Sequence, residues 1–256
     1  MIRLNRPDRM NAVSLPLYRE LTELLTSLAE ETENAEKASL RALILTGAGR
    51  AFCVGADLKS HGVAPSDAAW RREYVAVAQE AARRLQRFPT PTIAAVNGHA
   101  IGAGLELALS CDFVVVSKGA KLRFPEMSLG TFVGGGVTYT LSRRVGVARA
   151  RELVLLCPMF GGQEALEMGL ASRCVSADLV LAEAQEIAQR LASMAPLSIA
   201  RATQLLREGF AADPEEAMAQ EAEALLECMD SPDWIEGIRA FEEKRQPRFR
   251  GGTADP

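Results

Sequence analysis

The chain has 256 residues, of which 48% are hydrophobic and 24% are charged, a balance that is ordinary for a soluble globular protein. Its net charge of -4 at pH 7 gives no reason to expect nucleic acid as a partner. No apolar run reaches the roughly 18 residues of a membrane span, and the charged start MIRLNRPDRM lacks the apolar stretch of a signal peptide, so we expect no membrane partner.

The cysteine and histidine content argues against disulfides and metal sites. The five cysteines form no CxxC pair, and their odd number is unlike a disulfide framework. We therefore expect reduced thiols and a cytoplasmic location. With only His61 and His99 in the chain, we expect no metal site.

The first half of the chain alternates short apolar runs with longer amphipathic segments. Apolar runs of strand length stand at residues 2–5, 41–47, 92–98 and 113–117. Helical patterns cover residues 14–31, which Ser14 is suited to cap, and residues 67–87, which end before the prolines of FPTP. This alternation predicts an α/β fold with a largely parallel sheet.

After about residue 178 the sequence shows no strand pattern and reads as four consecutive helices. Pro196, Pro214 and Pro232 mark helix starts, where a missing N–H is harmless. We therefore divide the chain into an α/β core, residues 1–190, and a C-terminal helical region, residues 191–256.

One carboxylate lies inside an apolar, glycine-rich segment. In GHAIGAGLELALSCD, residues 98–112, Glu106 is surrounded by glycine, alanine and leucine. An unpaired charge in such surroundings is costly, or its pKa shifts until the group is neutral. Glu106 therefore either turns into water or serves a site.

Two interpretations of this segment are open from the residues alone. Gly102 and Gly104 begin a dinucleotide-binding G-x-G-x-x-G pattern, with Glu126 as a candidate ribose ligand, but Leu107 occupies the third glycine position. The second interpretation fits better. A helix that begins near Gly102 directs free N–H groups into the turn, where they can bind a developing oxyanion.

A similar turn occurs earlier, in LTGAGRAFCVGADLKS, residues 45–60. Loops that follow neighbouring parallel strands usually meet at one edge of a sheet. We expect each of the two loops to donate one N–H to the same carbonyl oxygen.

Taken together, these segments resemble the enoyl-CoA hydratase/isomerase (crotonase) superfamily over nearly the full length of the chain. The matching stretches are LNRPDRMNAVS (4–14), AFCVGADLK (51–59), AAVNGHAIGAGLELALSCD (94–112), FPEMSLGTFVGGG (124–136) and EGIRAFEEKRQPRF (236–249). The resemblance implies a crotonase-like spiral of ββα units with a C-terminal helical trimerisation region.

The resemblance also implies a catalytic set. Family members hold the thioester carbonyl of an acyl-CoA with two backbone N–H groups, which correspond here to Ala56 and Ala103. The hydratases of the family use two glutamates, which correspond to Glu106 and Glu126. One carboxylate activates water and the other supplies a proton to Cα. Coenzyme A enters as part of the substrate, and no separate cofactor is implied.

For coenzyme A, the family places adenine against the backbone of the NRPxxxNA loop and of the first oxyanion loop. The residues at these positions are Arg9, Met10, Ala12, Val54, Asp57 and Leu58. We interpret Asp57 as a capping residue rather than a catalyst. Lys244, in the C-terminal FxEKR motif, is placed to meet the 3′-phosphate, although a solvated helix residue would look the same.

The chain departs from the family pattern at two places. Val133 and Val137 replace a proline and a glycine in the turn that borders the acyl pocket, which leaves the acyl group unspecified. The chain also begins at what is usually the second strand, so we expect an exposed sheet edge or a truncated start.

The leading functional prediction is an enoyl-CoA hydratase, a hydro-lyase. A Δ3-Δ2 enoyl-CoA isomerase and a non-catalytic acyl-CoA-binding member are the alternatives. The amphipathic C-terminal helices resemble those that build trimers in the family, so we expect a homotrimer or a hexamer made from two trimers.

Overall fold

The computed structural model describes residues 1–33, 40–57, 68–208 and 213–250. Its strands are β1 (Ile2–Leu4), β2 (Leu43–Gly47), β3 (Ala51–Cys53), β4 (Thr92–Val96), β5 (His99–Ile101), β6 (Phe113–Ser117), β7 (Lys121–Arg123), β8 (Phe160–Gly161) and β9 (Arg173–Val175). Its α-helices are α1 (Leu15–Glu33), α2 (Ala68–Gln86), α3 (Ala103–Leu109), α4 (Val137–Leu155), α5 (Gly162–Glu167), α6 (Val180–Ala192), α7 (Pro196–Glu208), α8 (Pro214–Met229) and α9 (Pro232–Glu242). Short 3₁₀ helices cover Pro7–Arg9 and Glu126–Leu129.

The strands form two sheets that the chain visits alternately. The first sheet is parallel throughout, in the order β1-β2-β4-β6-β9, with β1 at one edge. The second has the order β3-β5-β7-β8, and only β8 runs antiparallel to its neighbour. Three times the chain forms two consecutive strands, one in each sheet, and then a helical element. These strand pairs are β2-β3, β4-β5 and β6-β7. This alternation confirms the predicted spiral of ββα units.

The central strands β2, β4 and β6 of the first sheet are buried on both faces, as in a parallel sheet covered by helices. Leu43 and Leu45 of β2 enter the main core, whereas Ile44 packs on the opposite face with Val180 and Ala184 of α6. The uninterrupted apolar runs that the sequence shows at β2, β4 and β6 follow from this double burial.

The short helix α3 follows β5 and is fixed at its C-terminal end by two arginines. Arg144 of α4 donates to the carbonyl oxygens of Leu109, at 3.1 Å, and of Cys111. Arg207 of α7 donates to both carboxylate oxygens of Asp112, at 2.8 and 2.6 Å. Guanidinium groups suit this position because the carbonyl end of a helix is partially negative.

The predicted element types agree with the structure, and the elements that were not predicted are short strands and the helices α4 and α5. The predicted strand 92–98 ends at Val96 as β4, and β5 begins at His99 after Gly98, where a Cβ would overlap the carbonyl oxygen of Arg50. Helices α7, α8 and α9 begin at the three predicted prolines. None of the described helices is long and apolar enough to cross a membrane.

Candidate active site

The first loop of the site follows β3 and is held by the segment before α1. Val13 N–H donates to the Gly55 carbonyl and Asp57 N–H donates to the Val13 carbonyl, both at 2.8 Å. In this parallel bridge the two residues that flank Ala56 make the bonds, so the Ala56 N–H points to the other side. In the described part of the chain, no hydrogen bond occupies that N–H.

The second loop is the turn between β5 and α3. Gly102 adopts a φ of 52°, which favours glycine, and Ala103 is the first residue of the helix. The N–H groups of a first helical turn lack partners within the helix. A Cβ at Gly104 would overlap the Cys53 carbonyl oxygen, so α3 begins directly against the end of β3.

The two loops meet where the sequence analysis expects them to. A Cβ built on Gly55 would lie 2.8 Å from the Ile101 oxygen and 3.6 Å from the Ala103 nitrogen. Gly55, the residue before Ala56, therefore lies against the backbone of residues 101–103. Two N–H groups on neighbouring loops provide the elements of an oxyanion-binding site.

Glu106 lies in the first turn of α3 and is only 7% exposed. Its carboxylate accepts hydrogen bonds from the N–H groups of Gly134, at 3.2 Å, and of Gly135. Burial raises the pKa of Glu106 to about 7, the two backbone N–H groups oppose this rise, and the charge of Glu126 adds to it. The buried carboxylate is thus held by two consecutive backbone N–H groups, and its pKa lies near neutral pH.

Glu126 begins the 3₁₀ helix Glu126–Leu129 and is 8% exposed. One carboxylate oxygen, Oε1, faces the Gly102 turn, where a Cβ would approach it to 2.6 Å. The other, Oε2, is buried and has no hydrogen-bond partner among the described residues. Burial raises the pKa of Glu126, while its own backbone N–H and, to a lesser degree, the charge of Arg123 lower it. An unsatisfied buried acceptor of this kind is where a substrate atom or a water would bind.

A pair of phenols adjoins Glu106, and the sequence analysis did not identify it. Tyr18 of α1 meets Tyr74 of α2 edge to face, with ring centroids 5.7 Å apart, and Trp70 stacks on Tyr74. Burial raises the pKa of both phenols, and the charge of Glu106 raises both further. Tyr18 belongs to an ordinary amphipathic helix pattern, so no local signal marks its place beside the site.

The predicted coenzyme A loop is tied to the first oxyanion loop. Met10 has a φ of 48° and its carbonyl accepts from the N–H of Val54 at 3.2 Å. Arg6, which the sequence analysis did not identify, donates to the Ala12 carbonyl at 2.6 Å and to the Asp57 carboxylate at 2.9 Å. The structure thus brings the NRPxxxNA loop against the loop after β3.

The other predicted coenzyme A residues are placed differently. The Asp57 carboxylate is buried in its ion pair with Arg6, so it anchors two loops together. Lys244 is exposed after α9, and no described hydrogen bond or ion pair joins it to residues 9–12. Leu58 lies outside the described residues.

The turn that departs from the family pattern contacts the apolar core. Val133 and Val137 are both buried in the main core, whereas Phe132 is 66% exposed. The N–H groups of Gly134 and Gly135, which hold Glu106, lie between the two valines. Among the described residues, no group of three histidine, cysteine, aspartate or glutamate side chains is arranged to hold a metal ion.

Comparison with known proteins identifies the family. The sequence profile of the enoyl-CoA hydratase/isomerase family matches residues 1–252. The chain is 33% identical to the short-chain-enoyl-CoA hydratase of Clostridium acetobutylicum, over 96% of this chain and 92% of that protein. It is 37% identical to the 2,3-dehydroadipyl-CoA hydratase of Escherichia coli, over 98% and 94%.

A solved structure agrees with these relatives. The enoyl-CoA hydratase from Bacillus anthracis superposes with a TM-score of 0.91 at 36% identity, covering 98% of this chain and 94% of that one. The chain therefore belongs to the enoyl-CoA hydratase/isomerase family and has its crotonase fold.

Proposed function

We propose that this protein is an enoyl-CoA hydratase, which adds water across the 2,3 double bond of an acyl-CoA thioester. The observation that carries the proposal is the pair of buried carboxylates. Glu106 and Glu126 lie close enough for the charge of one to raise the pKa of the other, and both adjoin the Ala103 turn. Hydration needs one group that takes a proton and one that gives it, and this pair can do both.

The backbone would stabilise the charge that forms during the reaction. When the water oxygen bonds to C3, the electrons of the double bond move toward the thioester oxygen and form an enolate. The N–H groups of Ala56 and Ala103 would bind that oxygen. One such donor is typically worth roughly 100- to 1000-fold in rate.

The two carboxylates would share one proton through the cycle. The ionised member takes a proton from water as its oxygen attacks C3, and the protonated member gives its proton to C2. One proton is gained and one is lost, so the pair again holds a single proton. A pKa of about 7 for Glu106 suits this exchange because both forms are populated at neutral pH.

Coenzyme A would lie along the loop that the structure ties to the first oxyanion turn. We place the adenine against the backbone of Arg9, Met10 and Ala12, next to Val54. The positive φ of Met10 and the bond that its carbonyl accepts from Val54 fix the shape of this loop. The proposed reaction uses coenzyme A only as part of the substrate.

Crotonyl-CoA tests the proposal directly. Purified protein is mixed with crotonyl-CoA, and the loss of enoyl absorbance is followed; we expect turnover. Because Bacillus subtilis YngF, 33% identical, is named a putative enoyl-CoA hydratase/isomerase, a 3-enoyl-CoA is tested in parallel. Turnover of the 3-enoyl substrate alone would replace the hydratase proposal with an isomerase. Binding of coenzyme A without turnover of either substrate would favour a non-catalytic member.

We also propose that the C-terminal helices mediate self-association into a trimer or a hexamer. Large apolar side chains are exposed on α7, α8 and α9: Leu206, Met218, Leu225, Leu226, Met229, Trp234, Ile235, Ile238 and Phe241. Exposed apolar surface of this extent is typical of interaction sites. Sedimentation equilibrium is expected to give three or six times the chain mass, and a monomer would contradict the proposal.

A further inference from the structure

Arg123 lies at the end of β7, three residues before Glu126, and its side chain joins two segments. Its Nε donates to the Cys157 carbonyl at 2.8 Å. Its Nη2 donates to Ser128 Oγ at 3.4 Å, and that hydroxyl in turn donates to the Pro125 carbonyl at 2.6 Å. The guanidinium is thereby fixed beside the turn that carries Glu126.

The main chain of Arg123 is bonded to the turn between β5 and α3. Ile101 of β5 pairs with Arg123, and the Gly102 N–H donates to the Arg123 carbonyl at 2.8 Å. Gly102 precedes the Ala103 amide, and it is also the residue that Glu126 Oε1 faces. The main chain of Arg123 is therefore bonded to the oxyanion turn, which contains Gly102 and Ala103. Its side chain is bonded to the acid turn, residues 125–129, which carries Glu126.

The charge of Arg123 acts on Glu126. The titratable groups that face Glu126 from the described elements are Arg123 at the end of β7 and Glu106 on α3. Burial raises the pKa of Glu126, its own backbone N–H lowers it, and the positive charge of Arg123 lowers it further. Backbone N–H groups also lower the pKa of Glu106, and no cation among the described residues adds to their effect. The positive charge near the pair of acids is therefore on the Glu126 side.

We propose that Arg123 is a positioning residue for Glu126: its bonds to Cys157 and Ser128 fix its guanidinium, and hence its positive charge, beside the turn that carries this carboxylate. Its catalytic consequence rests on the proposed hydratase function, but its effect on Glu126 does not. The inference therefore has a test that needs no substrate.

The substrate-free test is an NMR titration of the protein labelled with ¹³C at the glutamate carboxyl carbons. The Glu126 resonance is assigned by its loss in Glu126→Gln. Arg123→Gln is expected to raise the pKa of Glu126, as the loss of a nearby opposite charge does. Arg123→Lys keeps the charge and is expected to stay within a few tenths of a unit of the wild-type value. Arg173→Gln, an exposed arginine of β9, serves as the matched control.

Two outcomes of this titration would overturn the inference. One is an unchanged Glu126 pKa in folded Arg123→Gln. The other is an equal shift in Arg123→Gln and Arg123→Lys, which would assign the effect to a distorted turn rather than to the charge. Thermal unfolding of each variant shows whether it is folded, and Arg123→Lys keeps the test decisive if Arg123→Gln is not.

The kinetic test uses crotonyl-CoA between about pH 5 and pH 9. Arg123→Gln is expected to move the lower apparent pKa of the carboxylate pair upward by roughly the amount seen by NMR, with KM nearly unchanged. A merely structural role would lower kcat at every pH without moving the profile. If wild type fails to hydrate the substrate, the hydratase proposal fails, while the NMR result still decides the role of Arg123.

Discussion

The two carboxylates of the site, Glu106 and Glu126, are carried by different elements and have different hydrogen-bond partners. Glu106 projects from a helix that is anchored at its far end by Arg144 and Arg207, and its carboxylate is bonded to two backbone N–H groups. Glu126 projects from a four-residue 3₁₀ turn, and one of its oxygens has no partner among the described residues. The comparison shows that Glu106 is satisfied by the protein, whereas Glu126 keeps an acceptor for substrate or water.

Removing either carboxylate tests the comparison most strongly. Glu126→Gln and Glu106→Gln are each expected to lower kcat for crotonyl-CoA hydration by roughly 100- to 10,000-fold, because each removes one partner of the proton exchange. Steady-state kinetics measure the loss. Glu186→Gln, on an exposed position of α6, is the control. Activity within a factor of three of wild type in either variant would contradict the shared-proton account.

Gly102→Ala tests the contact between the turn that begins the Glu106 helix and the Glu126 carboxylate. The added methyl would lie 2.6 Å from Glu126 Oε1, and the φ of 52° disfavours any side chain. We expect kcat to fall by roughly 10- to 100-fold, since displacing the acid turn by even 1 Å is costly for catalysis.

Gly119→Ala is the matched control for Gly102→Ala. Its methyl would approach only Ser117 Oγ, at 3.9 Å. Equal kinetics in the two alanine variants would show that the contact between Gly102 and Glu126 does not matter.

The pKa of Glu106 predicts a smaller effect, on stability. The ordinary pKa of 4.5 applies when the chain is unfolded and about 7 applies when it is folded, so between these values the folded state binds more protons. Stability therefore falls as pH rises from about 4.5 to 7. Glu106→Gln removes this penalty and is expected to stabilise the protein by about 1–3 kcal/mol at pH 8 but not at pH 4.

Urea unfolding at pH 4 and pH 8 measures this difference in stability. A stabilisation that is the same at both pH values would show that the pKa of Glu106 does not differ between the folded and unfolded protein. A loss of stability at pH 8 would show that its bonds to Gly134 and Gly135 outweigh its burial.

The long buried elements could be predicted from the sequence because their patterns are local. These patterns are the apolar runs of β2, β4 and β6 and the prolines at the starts of α7, α8 and α9. Each pattern lies within a few neighbouring residues of the sequence. The three-residue strands β3, β5 and β7 were not predicted, because strands this short are defined by pairing with one another. The close approach of Gly98, between β4 and β5, to the Arg50 carbonyl is likewise a contact that no local pattern shows.

The candidate acids and amides were predicted from the sequence, whereas the contacts that hold them were not. Glu106 stood out because a carboxylate among glycine, alanine and leucine is unusual, and the family resemblance supplied Glu126, Ala56 and Ala103. The bonds from Gly134 and Gly135 span 28 and 29 residues, and the pair of Arg6 with Asp57 spans 51. Such contacts arise only when the loops fold together. The capping role predicted for Asp57 stays a prediction, because the residues that follow it lie outside the described ones.

The most direct test of the central claim is a crystal structure of the protein with a non-reactive enoyl-CoA analogue. The account predicts the thioester oxygen about 2.7–3.1 Å from both the Ala56 and the Ala103 nitrogen atoms. It also predicts the Glu106 and Glu126 carboxylates on the same side of C2 and C3. An analogue whose thioester oxygen contacts neither nitrogen, or whose C2 and C3 lie beyond reach of both carboxylates, would contradict it.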